Sequence, residues 1–204
     1  MSTTAEQAAA FWTGNFGIDY AARNQGRVAS NTALFARILA STRDVHSVME
    51  YGCGTGQNLE AIHALLPDCA LSGMELNAEA AAKCQVATIY LQDMLDRRPL
   101  TSIYADMAMT KGLLIHIPPE KLETAYRILY NTAQKYVLIA EYYNPTPVEV
   151  NYRGHEGKLW KRDFAGEMLQ MFERLRLIDY GFVYHRDPNF PQDDLTYFLM
   201  EKRS

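Results

Sequence analysis

Glu50-Tyr-Gly-Cys-Gly-Thr-Gly-Gln-Asn58 places glycine at every second position between two segments of opposite character. Upstream, Val45 to Met49 (VHSVM) reads as a short strand. Downstream, Leu59 to Leu66 (LEAIHALL) reads as a helix. Glycines at a strand-to-helix junction mark backbone that something must approach closely, and the helix start offers free N–H groups there. A tight turn by itself needs only one or two.

Working outward, Asn31 to Ala40 (NTALFARILA) is apolar at helical spacing, with Asn31 in the N-cap position. Further strands are expected at Ala70–Glu75, Thr88–Leu91, Tyr104–Thr110 and Lys135–Glu141. Helices are expected at Asn77–Cys84, Pro118–Ala133 and Phe164–Phe172. Alternation of this kind implies parallel βαβ units. The last two strands, Leu177–His185 and Leu195–Glu201, lie too close together for a crossover helix and should pair antiparallel. The expected fold is α/β: a doubly wound, seven-stranded, mostly parallel sheet with a C-terminal antiparallel hairpin. One domain spans 1–204, with 1–30 as an N-terminal cap and 144–163 as an insertion near the site.

The 204 residues suffice for one core. A net charge of -4 gives no basic face for nucleic acid. Apolar runs are too short to span a bilayer, and the N-terminus lacks the order of a signal peptide. Cys53, Cys69 and Cys84 form no CxxC pair, which suits a reducing cytoplasm and argues against a disulfide framework or a zinc site. A small-molecule substrate is expected, with no metal, and the oligomeric state is left open.

In a doubly wound sheet the ligand lies beyond the carboxyl ends of the strands. Glu75 ends the second strand, where a carboxylate can accept ribose hydroxyls. Asp93, with Met94 beside it, follows the third strand, where it can hold an adenine amino group. Glu50 directly precedes the glycines; a carboxylate there opposes a pyrophosphate and suits an ammonium. The pattern E-x-G-x-G-x-G therefore points to S-adenosylmethionine (SAM). Gly52, Gly54, Gly56 and Asn58 would lay the loop against its amino-acid and ribose portions.

On these residues the chain resembles class I SAM-dependent methyltransferases. It is similar in particular to pseudaminic-acid-biosynthesis-associated methylases through FWTGNFGIDYAARN (Phe11 to Asn24), EYGCGTGQNL, TKGLLIHIPPEKL (Thr110 to Leu122), IAEYYNPTPVEVNYRGHEGKLWKRDFAGE (Ile139 to Glu167) and DYGFVYHRDPNFPQDDLTYFLMEK (Asp179 to Lys202). The likeness extends to azetidine-2-carboxylic acid synthases, which close a four-membered ring within SAM and release methylthioadenosine. Two reactions follow as expectations. The favoured one is ring closure, because little chain remains for a separate acceptor domain. The alternative is O-methylation of pseudaminic acid or a related carbohydrate.

Resemblance to the ring-closing enzymes implies an Asn and a Tyr at the reaction centre, carried here by Asn144 and Tyr180. Tyr20, Tyr142 and other tyrosines near strand ends can hold a sulfonium by their ring faces; each is also an ordinary half-buried strand residue. Asn144 equally suits a turn before Pro145. His116 is a candidate proton acceptor, as are His155 and His185; burial as a core histidine is the alternative for His116. Arg23 can grip the SAM carboxylate as a bidentate partner. Arg153, Lys161 and Arg162 would grip an acidic acceptor or lie solvated on the surface.

Overall fold

Helices and strands alternate along the computed structural model, which describes residues 4–23, 26–96 and 103–203. Helices α1 (Thr4–Thr13), α2 (Asn15–Arg23) and α3 (Val28–Leu39) precede strand β1 (Ser47–Tyr51). There follow α4 (Gln57–Leu65), β2 (Ala70–Glu75), α5 (Ala78–Ala81), β3 (Thr88–Leu91), β4 (Ala105–Lys111), α6 (Leu122–Thr132) and β5 (Ala133–Glu141). A two-stranded ribbon, β6 (Val148–Glu149) with β7 (Trp160–Lys161), leads to α7 (Phe164–Met171), β8 (Leu175–Val183) and β9 (Leu195–Lys202).

The seven-stranded sheet runs β3-β2-β1-β4-β5-β9-β8. Strands β1 to β5 are parallel, and β9 and β8 close it antiparallel, as the sequence implies. The chain order reverses between β1 and β4, which opens a crevice beyond their carboxyl ends. Register brings Tyr51, Glu75, Leu91 and Lys111 to that rim together.

Apolar residues on both faces of the strands explain the two layers. In β4, Met107 and Met109 face one side and pack with Leu34, Phe35 and Ile38 of α3 and Leu59 and Ile62 of α4. Ala108 faces the other side, with Leu122, Ala125 and Leu129 of α6 and Phe164 and Met168 of α7. The spacing of 122, 125, 126 and 129 gives α6 one buried stripe.

Asn31 is not the N-cap of its helix. The helix begins one turn earlier, with Arg27 in that position, and Asn31 is buried inside it, where its Oδ1 accepts Gln192 Nε2 at 2.9 Å. Phe11 to Asn24, an aromatic and polar mixture by sequence, forms α1 and α2 as far as Arg23. Asn24 lies outside the described residues. Among the described residues, no helix is long and apolar enough to cross a membrane.

Candidate active site

A cavity of about 200 Å³ lies at the crevice, between the carboxyl rim of the sheet and the N-terminal helices. Its floor is the glycine loop. Gly54 has φ +55, and a Cβ built on it would meet no atom within 4 Å, so the backbone there is bare toward the cavity. Gly52 also lines the wall, but Gly56 does not. Gly56 is buried at the N-cap of α4 with φ +84, and a Cβ there would sit 2.4 Å from Cys84 Sγ. Close packing of the helix start accounts for this glycine, and the wall gives no support to the expectation that it lies against a ligand.

Glu75, at the end of β2, is the hub of this floor. Its Oε2 accepts the Gly54 N–H at 2.8 Å, and its Oε1 accepts the N–H groups of Leu76 at 2.9 Å and Asn77 at 2.8 Å. Burial pushes its pKa up, against the pull of those three donors. Oε2, with one donor, keeps a lone pair for a hydroxyl. Asp93 and the buried Met94 continue the wall beyond β3, with Asp93 Oδ1 accepting the Leu95 N–H at 2.8 Å.

Glu50 lies beneath the cavity, 0 % exposed. Asn58 Nδ2 donates to its Oε1 at 2.6 Å, while Oε2 has no partner. Burial raises its pKa to about 7, with the Asn58 hydrogen bond and the charge of Lys111 opposing. An orphaned buried carboxylate oxygen is costly, by roughly 1–3 kcal/mol or more, unless a donor completes it. Asn58 itself lines the cavity and leaves its Oδ1 unpartnered.

The roof is aromatic. Trp12, on α1, packs against Phe11, Phe16 and Tyr20 and lies 4.5 Å from the His116 ring. Tyr152, from the segment between β6 and β7, touches Phe16 and His116. Asn77 Nδ2 donates to the Trp12 carbonyl at 3.0 Å and ties roof to floor. Tyr20 lines the cavity, and burial pushes its phenol well up. Arg27 and Asp193 form a 2.9 Å ion pair in the same wall.

His116 lines the cavity from the 3-10 turn Leu114–His116. Its Nδ1 is 2.6 Å from the Lys158 carbonyl, which can only accept, so Nδ1 carries the hydrogen and Nε2 the lone pair. Burial holds its pKa down at about 4. That turn is anchored by Glu141, whose carboxylate accepts the N–H groups of Leu113, Leu114 and Ile115 at 3.0, 3.0 and 3.4 Å.

Further sequence candidates stand outside the cavity wall. Tyr180 lies on edge strand β8, level with Phe198, and is 63 % exposed. Strand β9 intervenes between β8 and β5, so Tyr180 cannot oppose the end of β5. Asn144 turns back on its own loop, Nδ2 donating to the Thr146 carbonyl at 2.6 Å. Tyr142 packs on the core, with Lys161 Nζ 5.1 Å from its ring centroid, and burial raises its pKa to about 12. Arg23 is exposed on α2, with its guanidinium 5.7 Å from the Phe16 ring centroid. His155 packs on Phe11 in the outer roof, and His185 pairs with Asp194 at 2.8 Å on the surface. Arg162 pairs with Glu167, and Arg153 lies 6.0 Å from the Tyr152 ring centroid. In exchange the structure brings in Arg27, Asp193 and Lys111, which the sequence reading passed over although Lys111 stands in the quoted TKGLLIHIPP. Among the described residues, no group of three or more His, Cys, Asp or Glu side chains could hold a metal.

No protein-family model matches this chain, and no curated protein does. Solved structures do. The 1,6-didemethyltoxoflavin-N1-methyltransferase of Burkholderia thailandensis, with bound S-adenosylhomocysteine (SAH), matches at TM-score 0.70 and 13% identity over 100% of this chain and 92% of its own. The magnesium protoporphyrin IX methyltransferase ChlM of Synechocystis PCC 6803, with bound SAH, matches at 0.69 and 13% over 98% and 100%. The plantazolicin methyltransferase BpumL, also with SAH, matches at 0.65 and 15% over 98% and 97%. The fold is therefore the Rossmann-like one of these class I methyltransferases; at such identities the likeness is one of fold.

Proposed function

We propose that this chain binds SAM in the cavity and transfers its methyl group to a small-molecule acceptor. The observation that carries the reading is the orphaned, buried Oε2 of Glu50 beneath a bare glycine backbone, one strand from Glu75. An ammonium donor completes Glu50; a ribose hydroxyl completes Glu75 Oε2; Asp93 and Met94 take the adenine. SAM carries all three groups, so the residues present fit it. Arg27, rather than Arg23, is the arginine in the wall and would hold the carboxylate. What SAM supplies is an electrophilic carbon on a sulfonium. The chain supplies position and dryness, with Trp12 and Tyr20 excluding water and offering ring faces to the cation. The three structural relatives described above are methyltransferases by name, which supports methyl transfer over ring closure. An acidic carbohydrate such as pseudaminic acid remains one acceptor class to screen.

Ring closure to azetidine-2-carboxylate stands as a second reading on one observation: Trp12, Phe16, Tyr20 and Tyr152 form an aromatic roof over the cavity, and an intramolecular reaction needs no entry for a second substrate. Asn144 and Tyr180, the residues first assigned to that reaction, lie outside the wall, so the reading no longer rests on them. Mass spectrometry of purified protein with SAM alone, against a no-protein control, separates the two. Methylthioadenosine with azetidine-2-carboxylate above the control would establish ring closure. Intact SAM, followed by SAH once candidate acceptors are added, would establish methyl transfer.

A further inference from the structure

Lys111 ends β4, across the switch point from Glu75 and Asp93. If the nucleoside lies over β2 and β3, the sulfonium lies toward β1 and β4. That is where Lys111 joins the cavity wall, beside Gly112 and Leu113. Among the described residues its ammonium has no hydrogen bond or ion pair. The charged groups that face it are Glu50 of β1, Glu141 of β5, and the Arg27–Asp193 pair before α3 and after β8. Arg27 is paired with Asp193 and is the proposed place for the ligand's carboxylate, Glu50 is the proposed place for its ammonium, and Glu141 is engaged by three backbone N–H groups. A cationic sulfonium arriving in the same cavity therefore brings a like charge toward Lys111, which holds no hydrogen-bonded anion of its own among the described residues.

We infer that Lys111 gives up its proton when SAM binds and then serves as the proton acceptor for the attacking nucleophile. This rests on SAM binding as proposed above. Burial already pulls the Lys111 pKa down before any ligand arrives. The reaction balances. The nucleophile's O–H or N–H hydrogen moves to Lys111 Nζ, its electron pair forms the new bond to carbon, and the C–S bonding pair returns to sulfur. Sulfur becomes neutral as Lys111 becomes charged, so the like-charge conflict disappears in the step that recharges the lysine. His116, one of three candidate acceptors by sequence, is held to a weak base by its burial.

The test is calorimetry in buffers of different ionisation enthalpy, which counts protons released on binding, with SAM and with uncharged SAH over pH 6 to 9. Glu50 meets the ligand's ammonium in both cases and cancels from the comparison. In wild type, SAM should release up to about one proton more than SAH at some pH in this range. Lys111→Met should abolish that difference and lower the ratio of the SAM to the SAH dissociation constant at least tenfold. Lys111→Arg, which cannot shed its charge, should raise that ratio. SAH binding reports whether each variant folds. Equal proton release for SAM and SAH in wild type at every pH would overturn the inference. So would equal losses of SAM and SAH affinity in Lys111→Met, which would make Lys111 a carboxylate anchor. Absence of SAM binding in wild type would instead remove the functional reading itself.

Discussion

Glu75 has two duties that one substitution cannot separate but two can. Its carboxylate shapes the glycine loop through Gly54, Leu76 and Asn77, and on the proposed reading it also accepts the ribose. Glu75→Ala should weaken SAM binding by on the order of 100-fold, as expected for losing charge-assisted hydrogen bonds of about 1.5–3 kcal/mol each. Glu75→Gln, which keeps an acceptor oxygen, should lose less. Unchanged calorimetric affinity in both variants would place the ligand elsewhere. At this scale the placement of Glu75 and Asp93 at the cavity was legible because each ends or follows a strand that the sequence itself marks. Lys111 was not, since a lysine at a strand end is usually solvated and only the packed roof makes this one a cavity residue. Asn144 and Tyr180 lie outside the cavity wall for a different reason. Position along the chain says nothing of which strands lie side by side, and β9 comes between.

Among elements, the loop from β1 to α4 depends on two glycines with opposite vulnerabilities. Gly56→Ala puts a methyl 2.4 Å from Cys84 Sγ in a left-handed backbone and should cost about 2–4 kcal/mol of stability by denaturant titration. Gly54→Ala has space, so its fold should lose only about 1–2 kcal/mol from φ strain, while its methyl enters the cavity and lowers SAM affinity. Equal stability losses would show that the space around the two is not what distinguishes them. The sheet strands and α4, α6 and α7 were legible by apolar period and by glycine and proline punctuation. The β6–β7 ribbon was not, because two residues per strand leave no period to read. Nor were α1 and α2, whose aromatic residues face the cavity roof and one another, so no simple stripe separates core from solvent.

For the whole molecule, buried acids tie stability to pH. Burial raises Glu50 and Glu141 from 4.5 to about 7. Each holds its proton longer in the folded chain than in the unfolded one. Its stabilising share is therefore complete below about pH 4.5 and is lost as pH rises through about 7, by on the order of 3 kcal/mol for Glu50. Unfolding free energies from pH 4.5 to 8 should fall more steeply in wild type than in Glu50→Gln. Parallel curves would mean that Glu50 titrates normally. SAM should offset the loss, since its ammonium stabilises the ionised carboxylate, so the wild-type curve should flatten with ligand present.

The sequence holds two tryptophans, and they divide the molecule between them. Trp12 hangs in the roof against His116, whereas Trp160 lies in β7, outside the cavity wall. Excited by ultraviolet light, only Trp12 sits where, on the proposed reading, a nucleoside's arrival would alter its surroundings. The protein would thus carry its own optical reporter. Stopped-flow emission from wild type, with Trp12→Phe as the silent control, would time each entry and departure at the site without any label.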